Sequence, residues 1–248
     1  MDNMNSPSPA FAGRVLLVSN DAIAIEQLSE SMQRFALFPD QCPDVASALE
    51  RLKRVKFEAV VVDFQLGSQA AAVLEGARQS ASNEHAVIFT VSGSEAEAAE
   101  AFKAGSTFVL RRPLSATSID LSLKAAYGLI VRERRRYFRC PVEVPVVILR
   151  TAMQTVHGHT NNISEGGMSV TAAVPLGPGD QAKLQFNLPG DEFQFVLEST
   201  VCWAKERRLG LQFLSPHQTS KLQEWLSRRL EDAMPQSVMD KFSTLPED

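Results

Sequence analysis

The sequence predicts two tandem domains of different class: an α/β doubly wound parallel sheet, then an all-β small barrel with a C-terminal helix. Three observations carry this reading. From Gly13 to about residue 130, short β-branched runs alternate with amphipathic stretches of helical spacing. From Pro141 onward the hydrophobic period drops to two, with turn-rich connectors between the runs. Between these regions no Gly/Ser/Pro-rich linker intervenes, and the apolar spacing continues through Leu121, Leu123, Ala125, Ala126, Leu129 and Ile130 into Val131-Arg132-Glu133, with Gly128 the one breaker.

In the first half, Val15-Leu16-Leu17-Val18 reads as a buried strand, followed by a helix carrying Ile23, Leu28, Met32 and Phe35. A weak strand at Leu37 to Gln41 leads to a helix through Ala46, Leu49, Leu52 and Val55. Ala59-Val60-Val61-Val62 is the next buried strand, with a helix near Ala70 to Arg78 after it. The series continues as strand Ala86 to Val91, helix Glu95 to Ala104, strand Thr107 to Leu110 and a long helix from about Ala116. Five such β-α units imply helices on both faces of one sheet. A last helix of about 20 residues spans about 30 Å and is expected to act as a stiff connector into the second domain.

In the second half, Val142, Val144, Val146 and Ile148 alternate with less apolar neighbours, and strands are expected at Thr155 to Asn161, Met168 to Ala172, Gln181 to Leu188, Phe193 to Ala204 and Leu209 to Phe213. Many short strands with turns between them suggest closure into a small barrel. A closing helix is expected from near Ser215-Pro216, with Leu222, Trp225, Leu226 and Leu230 on its apolar face. Trp203 is expected in the barrel core rather than as a base-stacking platform, and His157 and His159 as exposed strand residues rather than metal ligands. The polar, proline-bearing ends, 1–12 and 234–248, read as loose tails.

Global composition excludes several classes. A net charge of -4 gives no overall basic field for nucleic acid or an anionic membrane. No apolar run approaches the length of about 20 residues that a bilayer requires, so a soluble cytoplasmic protein without membrane insertion is expected. Cys42, Cys140 and Cys202 are scattered without CxxC spacing, which suggests reduced structural thiols. Walker loops, nucleophile-base pairs and metal clusters do not emerge, so no enzyme is expected.

Against that acidic total stand two short stretches, Arg134-Arg135-Arg136-Tyr137-Phe138-Arg139 and Asn162-Ile163-Ser164-Glu165-Gly166-Gly167. The first is a block of guanidinium forks, which bind phosphate oxygens bidentately. The second offers side-chain and backbone groups in a turn that could complete a cradle. Alone, the first is commonly a solvated helix end and the second a plain turn; together they point to a phosphorylated ligand or nucleotide.

The first half, roughly 13–130, resembles response-regulator receiver domains, which are flavodoxin-like. Asp63 ends the third strand, where that family carries its phosphoacceptor; Ala104-Gly105-Ser106 precedes the fifth strand; Arg112-Pro113 stands where the family has Lys-Pro. The family's acidic pair after the first strand is here Ser19-Asn20, with an acid one step later at Asp21, and its Thr/Ser position falls among Thr90, Val91 and Ser92. Aspartyl phosphorylation needs magnesium, which prefers carboxylate oxygens, so Mg2+ binding is not expected and a degenerate receiver with Asp63 ion-paired to Arg112 is the leading expectation.

The second half, 132–232, resembles a PilZ domain. Arg135 and Arg139 fill the family's R-x-x-x-R motif, and Asn162, Ser164 and Gly167 fill its [DN]-x-S-x-x-G motif. Val201-Cys202-Trp203 followed by Gly210-Leu211-Gln212-Phe213 is similar to its closing strands. The resemblance implies binding of cyclic di-GMP through Arg135, Arg139, Asn162, Ser164, Gly166 and Gly167, with Arg134 able to reach a second ligand, so that one or two molecules bind per protomer. The expected function is signal transduction in a bacterial cytoplasm, with binding relayed through the connecting helix to an unidentified protein partner or to the geometry of a homodimer. The alternative is a genuine two-component response regulator, phosphorylated at Asp63, with a PilZ output domain.

Overall fold

The computed structural model describes residues 13–67, 69–151, 154–173, 176–214 and 220–232. The expected tails and the expected start of the closing helix at Ser215-Pro216 lie outside them. The chain divides into two compact units, with the break between Arg134 and Arg135 and the second unit ending at Asp232.

In the first unit, β1 (Gly13–Val18), β2 (Leu37–Cys42), β3 (Ala59–Asp63), β4 (Val87–Ser92) and β5 (Phe108–Arg111) form one parallel sheet in the order β2-β1-β3-β4-β5. This is the flavodoxin-like winding, with its switch point between β1 and β3. The helices are α1 (Ala22–Arg34), α2 (Val45–Arg54), α3 (Ala70–Gln79), α4 (Glu95–Lys103) and α5 (Ala116–Tyr137). Alternate strand residues feed opposite faces. Val15, Leu17, Val61, Phe89 and Val91 pack against α1 and α5, and Leu16, Val18, Val60, Val62 and Ile88 against α2 and α3. Because β1, β3 and β4 are buried on both faces, they read as nearly continuous apolar runs in the sequence. Local caps set the helix starts: Asp21, Asp44 and Ser94 each accept backbone N–H bonds at the head of α1, α2 and α4.

One polar residue organises this core from within. Asn83, fully buried in the α3–β4 connection, accepts the Phe57 N–H at 2.7 Å and donates to the Leu52 and Val55 carbonyls at 2.9 Å each. It thereby satisfies carbonyls left open where α2 ends and fixes the entry into β3.

The second unit is a closed antiparallel barrel, β10-β11-β8-β7-β6-β9. Its strands are β6 (Pro145–Thr151), β7 (Gln154–Ser164), β8 (Gly167–Ala172), β9 (Gln181–Asn187), β10 (Gln194–Lys205) and β11 (Arg208–Phe213), followed by α6 (Ser220–Asp232). Ile148, Ile163, Val170, Leu184, Phe195 and Leu211 are among the side chains that fill it, and Phe186 stacks on Phe195 at 5.2 Å. Helix α6 buries Leu222, Trp225, Leu226 and Leu230, and the Trp225 indole donates to the Pro189 carbonyl at 3.0 Å.

Three expectations change. The strand anticipated from Val142 begins at Pro145, because the segment before it is held by single bridges to β7. The Asn162–Gly167 motif is not mostly turn: β7 runs to Ser164 and β8 starts at Gly167, leaving Glu165-Gly166 as a two-residue loop. Trp203 is not in the core; it is 45% exposed, beyond a bulge in β10, and its ring lies so close over Gly210 that a Cβ there would sit 2.0 Å from the indole nitrogen. His157 and His159 are exposed on β7, as the alternation indicates.

Replacing Asn83 strands several buried backbone groups at once. Asn83→Ala is expected to lower unfolding free energy by about 2–4 kcal/mol, read from urea midpoints at unchanged slope. A loss below about 0.5 kcal/mol contradicts this role.

Candidate functional site

The arginine motif and the β7–β8 hairpin meet through backbone pairing. After α5 the chain lies antiparallel along β7: the Cys140 N–H donates to the Ile163 carbonyl at 2.8 Å and the Ile163 N–H returns the bond to Cys140 at 3.0 Å. That register sets Arg139 alongside Ser164 and Pro141 alongside Asn162. Thr160 extends the seam, accepting the Val144 N–H at 3.0 Å and donating to the Val142 carbonyl. With Ile163 directed into the barrel core, strand alternation puts Asn162 and Ser164 together on the other face.

Within the hairpin, Ser164 Oγ donates to the Gly167 carbonyl at 3.0 Å, and the Phe213 N–H donates to the Gly166 carbonyl at 2.9 Å. Gly167 is required by contact: a Cβ on it would lie 2.2 Å from the Leu211 carbonyl oxygen, since β11 passes directly over it. Gly166 has open space around its Cβ position. Neither glycine takes a positive φ, so the pair supplies close approach and access rather than unusual backbone angles.

Arg135 reaches the same hairpin. Its Nη1 donates to Ser227 Oγ on α6 at 2.8 Å, and its Nε lies 3.1 Å from Glu165 Oε1, an ion pair without the alignment of a hydrogen bond. Arg139 is exposed. Asn162 Oδ1 is buried and has no hydrogen-bond partner. The second unit therefore gathers Arg135, Arg139, Asn162, Ser164, Gly166 and Gly167 at one end of β7. Sequence reasoning missed Glu165, although it stands inside the motif, and Ser227, which carries no local signal because it reaches Arg135 only through the tertiary fold.

Arg134 belongs to the first unit and faces Glu58. Burial pushes the Glu58 carboxyl above its ordinary value, against the Arg14 N–H that it accepts at 2.6 Å and the positive charges of Arg134 and Lys56. The neighbouring Glu133 is buried and paired with Lys56.

At the carboxyl ends of β1 and β3, Asp63 is 1% exposed and fully engaged. Its Oδ2 accepts Ser19 Oγ at 2.8 Å and Arg112 Nη2 at 2.6 Å, and its Oδ1 accepts the Gln65 N–H at 3.1 Å. Arg112 Nη1 also bonds Asp21 Oδ2 at 2.8 Å, so one guanidinium bridges both carboxylates. The Ala24 N–H, with Arg112 and the Ile23 N–H, holds the Asp21 carboxyl below its ordinary range. Thr90 is committed to Ser106 and Ser92 to the Ser94 carbonyl, while Val91 pairs in register with Asp63. Among the described residues no three His, Cys, Asp or Glu side chains converge to hold a metal ion. Two carboxylates already neutralised by arginine do not fit magnesium, which requires several unencumbered oxygen ligands.

Residues 133–228 match the family model described as PilZ domain. This stretch of the chain is a PilZ domain. The solved structures similar to the chain include receiver domains and response regulators. One is the receiver domain of the sensor histidine kinase PA1611 from Pseudomonas aeruginosa, at 14% identity and TM-score 0.43, covering 47% of this chain and 98% of that one. A putative response regulator from Chloroflexus aurantiacus is 17% identical with TM-score 0.44, covering 49% and 99%. The chemotaxis response regulator CheY4 of Vibrio cholerae is 16% identical with TM-score 0.42, covering 46% and 98%. No curated protein matches the chain in sequence. The PilZ domain contains both arginine positions of the R-x-x-x-R motif and the whole β7–β8 hairpin. No helix among the described residues is long and apolar enough to cross a membrane.

The sign of the Glu58 shift gives a pH test. Below about pH 4 the carboxyl is protonated folded and unfolded alike; as pH rises the unfolded chain ionises first, so stability falls through the raised folded value. Glu58→Gln is therefore expected to unfold at higher urea than wild type at pH 7, with the gain vanishing near pH 4. A pH-independent difference contradicts the assignment.

Proposed function

We propose that this chain is a cytosolic, non-catalytic signalling protein whose PilZ domain is a receptor for cyclic di-GMP. The observation that carries the reading is the buried, unpartnered Asn162 Oδ1 on the strand end that pairs with the chain leaving the arginine motif. A buried acceptor without a donor is rare and costs about 1–3 kcal/mol unless a ligand satisfies it. Guanine presents N–H donors on its edge, and a cyclic dinucleotide presents phosphates to the forks of Arg135 and Arg139. Ser164 and Gly167 shape the hairpin, and Gly166 leaves it open for the ligand backbone to approach. Arg134 is the candidate fork for a second molecule, and calorimetric stoichiometry distinguishes one ligand from two.

Helix α5 runs unbroken for 22 residues across the division between the units. Its continuity supports transmission of binding to a protein partner or to the geometry of a homodimer, since ordering the arginines at its end bears on the helix itself. The receiver-like unit is proposed to act without phosphorylation, because phosphoryl transfer to Asp63 would have to break its bond to Arg112 and assemble a metal site from two carboxylates.

Titration calorimetry with cyclic di-GMP tests the receptor. Wild type is expected to bind with a constant in the micromolar range, and Arg135→Ala or Ser164→Ala to weaken binding at least tenfold, as expected for loss of about 1.5–3 kcal/mol. No saturable heat, or undiminished binding by both variants, refutes it. For Asp63, incubation with a small phosphodonor and magnesium is expected to give no mass shift; a shift abolished in Asp63→Asn establishes the two-component alternative instead.

A further inference from the structure

Arg135 is already occupied by an anion. Its Nε faces the Glu165 carboxylate at 3.1 Å while Nη1 is bound to Ser227 on α6, and both ionic side chains are well covered, at 33% and 19% exposed. Glu165 stands in the loop of the hairpin that carries Asn162, Ser164 and Gly167, so this carboxylate takes the guanidinium at the edge of the proposed site. The pairing is imperfect. Arg135 Nε lacks an aligned acceptor, and a carboxylate seated this way leaves the bidentate capacity of the fork unused. A phosphate presenting two oxygens would satisfy the fork more fully.

We propose that Glu165 is a built-in competitor for the ligand's phosphate and thereby sets the affinity of the site. Glu165 and Ser227 together hold Arg135 between the β7–β8 loop and α6 in the ligand-free protein. Ligand binding exchanges the carboxylate for phosphate and removes the Arg135 bond to Ser227, so release of the tether between the arginine motif and α6 is a direct product of occupancy. This rests on the receptor reading above.

The test is calorimetry with cyclic di-GMP on the full chain. Glu165→Gln keeps the size of the side chain, removes the competing charge, and is expected to bind about fivefold tighter than wild type, in line with a partly exposed ion pair. Ser227→Ala removes the second tether without touching the loop and is expected to bind about twofold tighter. Glu206→Gln removes one negative charge at the opposite end of β11, about 20 Å along the strand, and is expected to leave affinity unchanged. Binding by Glu165→Gln and Ser227→Ala no tighter than wild type overturns the competitor while leaving the receptor intact. Equal tightening by Glu206→Gln also overturns it, since net charge then explains the gain. If wild type and all three variants are silent, the receptor reading falls and takes the competitor with it.

Discussion

The two-way backbone bridge between Cys140 and Ile163 is the constraint on which the candidate site depends. An arginine block leaving a helix end has no preferred direction of its own, because long side chains on a solvated terminus sample many rotamers. Pairing the chain antiparallel to β7 immediately after that block removes this freedom. It fixes the register of Arg139 against Ser164 and leaves Arg135 near enough to the loop to find Glu165. Two motifs far apart in sequence thus become one surface by strand addition, and the barrel's core residue Ile163 provides the rigid side of the seam.

The same economy appears in the first unit, where a single arginine reorganises the switch point of the sheet. A doubly wound fold places functional groups at the carboxyl ends of β1 and β3, and Asp21 and Asp63 stand there. Arg112 spans both at hydrogen-bond distance, supplying in fixed form the positive charge that a metal would bring. A lone buried carboxylate would be costly, whereas one with three hydrogen bonds including a guanidinium is well compensated. The ion pair with Arg112 and the Ser19 hydrogen bond tie the Asp63 carboxylate into the core.

The fold was largely legible in the sequence because its signals are local. Doubly buried strands print themselves as runs such as Val60-Val61-Val62, and α6 prints Leu222, Trp225, Leu226 and Leu230 at helical spacing. Within the candidate site, the residue types were legible while their roles depended on tertiary contact. Ser164 spends its hydroxyl inside its own hairpin, and Gly167 is dictated by the path of β11, neither of which a motif can express. Trp203 misled because an aromatic in a strand ordinarily faces the core; a bulge in β10 shifts its register and the bare backbone of Gly210 gives the ring a seat on the surface. Asn83 was invisible for the opposite reason: a polar residue in a turn looks like solvent-facing punctuation, yet its amide satisfies two carbonyls at the distant end of α2 and the Phe57 N–H that leads into β3.

A receptor whose key arginine is pre-engaged differs in kind from one whose arginine is free. With a free guanidinium, binding energy goes into ordering the side chain and the ligand alone. On the proposed reading, with Arg135 held by Glu165 and Ser227, part of that energy would go into breaking existing bonds, lowering affinity while tying each binding event to a defined structural consequence. Linkage makes the exchange reciprocal: whatever strengthens the hold of α6 on Arg135 weakens the ligand, and the ligand weakens that hold by the same factor. A partly exposed ion pair is suited to this use, since its modest strength can be overcome by a bidentate phosphate while still favouring the parked state in the absence of one.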